Sequence, residues 1–176
     1  MTLLVLIILG ACSSNQPEQV MSPVQYVDLA RFMGSWHVLA DVPTPFDKKA
    51  TEPLEIYSLN DDGTVATTYS FIPEGKEERR EMRAKGFVMD ETNAVWGMQF
   101  VWPIKADYRV VYLDEDYGVT VIGRNKRDFV WILSREPTID AERFEELLAF
   151  VENLGYDRSK LRIHLEFEEL LSQAGG

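Results

Sequence analysis

The sequence predicts an all-β fold, an eight-stranded antiparallel up-and-down barrel with one α-helix packed on its outer wall. Three observations predict it. From Trp36 to Arg135 apolar residues alternate in short runs separated by turn-forming residues, the period-two pattern of half-buried strands. Gly34-Ser35-Trp36 opens this stretch and Arg135 closes it. A guanidinium laid over that indole is a cation–π contact of roughly 0.5–2 kcal/mol that would clasp the two ends of the sheet. After Pro137 the apolar spacing changes to that of a helix. A barrel clasped at one end and open at the other is a container.

The elements follow in order. Leu3 to Leu9 is an apolar run too short to span a bilayer, and it leads into Leu9-Gly10-Ala11-Cys12. These four residues resemble a bacterial lipobox, although no Lys or Arg precedes the run. The resemblance implies a signal peptide over 1–11 and an acylated Cys12. Ser13, where an aspartate would resemble an inner-membrane retention signal, then implies anchoring to the outer membrane. Two or more acyl chains hold firmly where one does not. Residues 12–25 form the lipidated tether, 26–165 the folded domain and 166–176 an acidic tail. Val27 to Phe32 reads as a helical turn leading into Gly34.

The strand runs are Trp36–Val42, Leu54–Leu59, Val65–Phe71, Arg83–Met89, Val95–Trp102, Tyr108–Leu113, Gly118–Gly123 and Phe129–Arg135. Asn60-Asp61-Asp62-Gly63 is a strong hairpin turn, and Asp90–Asn93 and Asn125–Asp128 serve similarly. Closing eight such runs on themselves removes the exposed edges of an open sheet. Asp140 is the N-cap of a helix that buries Phe144, Leu147, Leu148, Val151 and Leu154 and stops at Gly155. Leu161 to Leu165 reads as an added edge strand.

Composition narrows the function. The chain has 176 residues, 18 basic and 29 acidic side chains and a net charge of −11. Such a surface does not suit nucleic acid, which a basic face must approach, or electrostatic docking on anionic lipid. One cysteine allows no internal disulfide. His37 and His164 lack companions at metal-ligand spacing, and there is neither a Gly-x-Ser-x-Gly elbow nor a P-loop. We therefore expect no metal, no cofactor and no catalysis.

The candidate ligand-binding surface comes from alternation. Trp96, Met98, Phe100 and Trp102 share one face of a strand, as do Phe129, Trp131 and Leu133 in phase with Arg135. Val38 and Ala40 follow Trp36 in the same phase and leave space opposite large residues. Tyr57, Thr67, Tyr69, Tyr108 and Val110 complete the expected lining. In Leu54–Leu59 two phases compete, since hydrophobicity turns Leu54 and Ile56 inward. Lys48, Lys49, Lys76 and Lys105 read either as headgroup contacts or as solvated lysines, and Phe46 as a lid or a rim residue. Eight strands enclose room for side chains alone or for one small ligand.

Gly34-Ser35-Trp36, Leu113-Asp114-Glu115-Asp116-Tyr117 and Trp131-Ile132-Leu133-Ser134-Arg135 resemble the three signature regions of the lipocalins, and the stretch from Asp107 to Ile139 resembles the bacterial outer-membrane members in particular. The similarity covers Tyr26 to Leu165 and departs from the pattern at Glu74 to Glu81. It implies that Trp36 and Arg135 close the barrel floor beside Tyr117, with Gly34 and Asp114 in the same signature. For Leu54–Leu59 it implies the opposite phase, Glu55 and Tyr57 inward. It further implies an outer-membrane protein facing the periplasm that binds a fatty acid or lysophospholipid for lipid storage, transport and membrane maintenance. Some members dimerise, so a homodimer is a further expectation. Two other readings stand beside this one. An enzyme acting on a lipid-like substrate would show a perturbed polar group inside the barrel, and a structural lipoprotein would show a solid interior.

Overall fold

The computed structural model describes residues 20–44 and 47–164. The signal peptide over 1–11, Cys12 with most of its tether, Phe46 and the tail over 166–176 lie outside the described residues.

A four-residue helix α1 (Leu29–Phe32) precedes eight strands: β1 (Gly34–Asp41), β2 (Ala50–Leu59), β3 (Val65–Pro73), β4 (Arg80–Val88), β5 (Val95–Val101), β6 (Ile104–Leu113), β7 (Val119–Gly123) and β8 (Trp131–Ser134). Helix α2 (Ala141–Asn153) and a two-residue strand β9 (Arg162–Ile163) follow. Each strand pairs antiparallel with the next, β8 pairs with β1, and β1 pairs back onto β2, so the barrel is closed. The predicted all-β architecture is thus the observed one. Residues 74–79, where the resemblance departs, form an exposed charged loop between β3 and β4.

Closure is uneven. β1 meets β2 only where Gly34 to His37 face Tyr57 to Leu54. Further along, β1 pairs with β9 instead, Ala40 opposite Ile163 and Asp41 opposite Arg162. The loops β2–β3, β4–β5 and β6–β7 lie with α1 at the end that holds Trp36, the floor. The loops β1–β2, β3–β4, β5–β6 and β7–β8 surround the opposite end, the mouth.

Two apolar clusters follow from the alternation. One lies inside the barrel, with Phe32, Trp36, Val38, Tyr57, Tyr69, Trp96, Met98 and Leu133 among its members. The other lies between the outer wall and α2, where Leu39, Val121 and Ile132 meet Phe144, Leu147, Leu148 and Val151. The side chain of Asp140 accepts from the amides of Glu142 and Arg143, satisfying two donors the helix cannot. Asp140→Ala should cost about 1 kcal/mol, read as a small fall in the denaturant midpoint with the slope unchanged.

One inward expectation fails in β1. The register with β8 shifts between Val38 and Ala40, leaving Leu39 as the extra residue of a bulge. The alternation inverts there, so Ala40, expected in the lining, packs in the outer cluster opposite Ile132. Asp41 faces Trp131 and is only 1% exposed. A second expectation fails in β5. Its register with β6 is irregular after Met98, and Phe100 and Trp102, expected inside, are 54% and 82% exposed.

Candidate functional site

The floor is built from α1 and the two ends of the sheet. Gly34 has φ of 101°, a left-handed conformation that glycine adopts without strain. A Cβ there would stand 3.2 Å from Arg135 Nη1, so the arginine lies close against the backbone. The guanidinium carbon of Arg135 sits 3.8 Å from the Trp36 ring centroid. Its nitrogens donate to the carbonyls of Arg31, Phe32, Met33 and Ser35 at 2.8–3.0 Å. These include the last carbonyls of α1, which have no partner within so short a helix. Trp36 Nε1 donates to Phe32 O as well. One arginine therefore caps a helix, covers an indole and joins β8 to β1.

Tyr117 stands beside this clasp. Its hydroxyl accepts from the Asp28 amide at 2.8 Å, and the Arg31 guanidinium lies 4.0 Å from its ring centroid. Asp114 serves the outer wall. It accepts from Arg143 Nη2 at 2.9 Å and from the Tyr112 hydroxyl, tying α2 to the end of β6.

Above the clasp the interior is aromatic. Phe32 contacts Trp36, Tyr57 and Trp96 at centroid distances of 5.1–5.6 Å. Trp96 stacks on Tyr108, whose hydroxyl is hydrogen-bonded to that of Tyr57. Toward the mouth come Val38, Met98, Tyr69, Phe71 and the half-buried Trp131. Val110 is also inside, before a register shift in β6. Phe129, expected in the lining, lies before β8 and outside the inner cluster. It stacks on Trp131 with the Arg124 guanidinium 5.3 Å away.

Two buried polar atoms face this apolar interior. Glu55 Oε2 and Thr67 Oγ1 have no hydrogen-bond partner among the described residues. Glu55 lies opposite Trp36 on one side and Tyr69 on the other, and Thr67 lies opposite Tyr57. The phase that hydrophobicity favours in Leu54–Leu59 is therefore overturned, because Leu54 and Ile56 are half-buried while Glu55 and Tyr57 point inward. Burial, then the charges of Asp41 and Asp47, push the Glu55 carboxyl up to about 8. At neutral pH it is a neutral group able to donate a hydrogen bond. Burial also raises Tyr57 and Tyr108 well above the usual phenol value.

A charged lock closes the mouth side of the β1–β2 gap, and sequence reasoning missed it. Arg162 from β9 donates to both carboxylate oxygens of Asp41 at 2.6 and 2.9 Å, and to Asp47 Oδ2 at 3.1 Å. Tyr69 donates to Asp47 at 2.8 Å, and His164 Nε2 lies 3.3 Å from Asp41. Despite the opposing effect of burial, bonds from Thr44 and Tyr69 and the charge of Arg162 hold Asp47 below the usual carboxylate range. Outside the lock a cleft of about 440 Å³ is lined by His37, Lys48, Glu52, Glu74 and His164. Of the lysines expected at the mouth, Lys49 is paired with Glu74, and Lys105, which lies in β6, sits over the Phe87 ring.

Residues 27–166 match the family model described as "Lipocalin-like domain". The chain belongs to the lipocalins. Its relatives include "Outer membrane lipoprotein Blc" of Escherichia coli (strain K12), 33% identical over 152 residues that cover 85% of each chain. "Temperature-induced lipocalin-1" of Arabidopsis thaliana is 31% identical over 152 residues, with 82% of each chain covered. Among solved structures, insecticyanin from the tobacco hornworm Manduca sexta superposes with a TM-score of 0.63 at 19% identity. It covers 83% of this chain and 84% of that one, which bears on the fold alone. In this lipocalin, Gly34, Trp36, Tyr117 and Arg135 form the floor clasp and Asp114 the tie to the outer helix.

Proposed function

We propose that this lipocalin binds an acyl-chain ligand, a fatty acid or lysophospholipid, in its barrel, held to the periplasmic face of the outer membrane through acylated Cys12. The observation that supports the reading is an apolar interior that includes Val38, Met98, Tyr69 and Trp131, with the buried Glu55 Oε2 and Thr67 Oγ1 on the inward faces of β2 and β3 and without hydrogen-bond partners among the described residues. A ligand with a long chain and one hydrogen-bonding end matches that surface. The relatives named outer membrane lipoproteins support the location. Enclosing about a dozen methylenes at roughly 0.8 kcal/mol each contributes about 10 kcal/mol before association costs of several kcal/mol. Micromolar affinity or better follows, with storage or transport of membrane lipid as the role.

Glu55 also favours a second reading, an enzyme acting on a lipid-like substrate, because a carboxyl pushed up to about 8 is poised for acid–base work. Asp41 and Asp47 act on it through their charge, Tyr57 and Tyr108 in the same interior are held protonated, and its Oε2 has no hydrogen-bond partner among the described residues to orient it. Ligand recognition is the better match to that arrangement.

Native mass spectrometry of the Cys12→Ser protein purified from cells tests both. The expected spectrum shows one co-purified acyl lipid per barrel, unchanged in mass on prolonged incubation. A bare protein that also ignores added fatty acid and lysophospholipid would end the carrier reading. Cleavage of the added lipid would favour the enzyme.

A further inference from the structure

Outside one hairpin, the exposed large apolar side chains among the described residues, Val20, Tyr26, Leu59 and Met89, stand singly, as is ordinary for a protein surface. The β5–β6 hairpin is different. Phe100, Val101, Trp102 and Ile104 are 54%, 68%, 82% and 70% exposed, and they occupy the tip of one hairpin at the mouth. A run of this kind has no role in the barrel core, since β5 leaves its regular pairing with β6 after Met98. Contiguous apolar surface in water marks an interaction site.

The incoming chain arrives at the same end. Met21 donates to Asn125 in the mouth loop β7–β8, and its carbonyl accepts from Arg109. Val24 then bonds Val110, and Val27 bonds Thr92 in the floor loop β4–β5, so residues 21–27 descend the wall from mouth to floor. Val20, at the upper end, is 65% exposed. Cys12 precedes Val20 by eight residues, a reach of at most roughly 28 Å fully extended. A tether from Cys12 would therefore join the folded domain at its mouth end.

We propose that the Phe100–Ile104 hairpin tip docks into the lipid bilayer, seating the barrel mouth against the membrane surface. The occupant follows from chemistry. A tryptophan among aliphatic side chains is the combination favoured at a membrane interface, where one end of the indole is apolar and its N–H stays wet. The net charge of −11 gives no attraction to anionic headgroups, so the contact is apolar and works on zwitterionic lipid. Docking there lets a chain-like ligand pass between bilayer and barrel without crossing water. The position of the anchor rests on the function proposed above, whereas the exposed tip does not.

The test uses the full chain carrying Cys12→Ser, so that no acyl group contributes to binding, with phosphatidylcholine vesicles. Trp36 and Trp96 are buried at 0% and 1% exposure, so Trp102 gives the tryptophan signal most open to the bilayer. We expect a blue shift and quenching by lipids brominated in the acyl chain, both abolished in Trp102→Phe, which should still bind. Trp102→Ser with Ile104→Ser should weaken vesicle partitioning at least tenfold while leaving fatty-acid binding in detergent-free solution intact. Normal fatty-acid binding with no Trp102 response to vesicles would overturn membrane docking and leave the carrier reading standing. A dimer in sedimentation that these two serines dissociate would also overturn it, by assigning the tip to a second copy of the chain.

Discussion

Trp36→Ala should destabilise the barrel by about 3–5 kcal/mol, the usual range for removing a large buried aromatic side chain. Trp36 is fully buried and contacts Phe32, while Arg135 covers its ring and bonds four carbonyls around it. Arg135→Ala removes those bonds too, and Arg135→Lys should rescue little, because an ammonium has neither the planar fork nor its five donors. The two losses share one structure, so they should not add. A double-mutant cycle by urea unfolding should give a coupling of about 1–3 kcal/mol between Trp36→Ala and Arg135→Ala. Coupling within 0.3 kcal/mol of zero, the ordinary scatter for independent sites, would show that the stacked pair is not the clasp.

The clasp was legible because each part announces itself locally. Gly34 precedes an indole, Arg135 ends the last strand, and the turns at Asn60–Gly63 and Asp90–Asn93 mark where strands reverse. Alternation then located the inward faces over most of β3, β5, β6 and β8. It failed where backbone geometry, not side-chain type, sets the phase. In His37-Val38-Leu39-Ala40-Asp41 the central three residues are all apolar, so nothing in the pattern betrays the bulge at Leu39 that turns Ala40 outward and Asp41 inward. In β5 the apolar alternation runs past the end of the barrel wall, and Phe100 and Trp102 follow the pattern into solvent. In β2 the outward Leu54 and Ile56 are more hydrophobic than the inward Glu55. Family register gave the right phase where hydrophobicity did not. Arg162 is separated from Asp41 by 121 residues, and no local pattern connects them. Helix α1 was expected as a helical turn, but the role of Phe32 as the aromatic plug under Trp96 depends on packing across the floor.

Glu55→Gln should make the protein more stable at pH 8 and nearly unchanged at pH 4.5. The carboxyl titrates near 4.5 when exposed and about 8 when folded. Between those values the folded protein holds a proton that the unfolded chain has released, so raising the pH favours unfolding. Below 4.5 both states are protonated and the group costs nothing through ionisation. Above 8 both are ionised, and the penalty levels off at roughly 5 kcal/mol, at 1.36 kcal/mol per pH unit of difference. Glutamine keeps the shape and the hydrogen-bond donor but cannot ionise, so its contribution is flat. Urea midpoints of the Cys12→Ser protein with and without Glu55→Gln should therefore diverge steadily from pH 5 to pH 8. Asp47, held low by Thr44, Tyr69 and Arg162, works in the opposite direction, its contribution being lost as the pH falls through the acid range, and it cancels in the comparison. Ligand binding should follow the same proton. A neutral Glu55 donates to the polar end of a fatty acid, whereas an ionised one repels its carboxylate, so the parent should lose affinity above pH 8 while the glutamine variant retains it. Parallel stability curves would mean that the Glu55 carboxyl is already ionised in the folded barrel, and the neutral donor assigned to it would not exist.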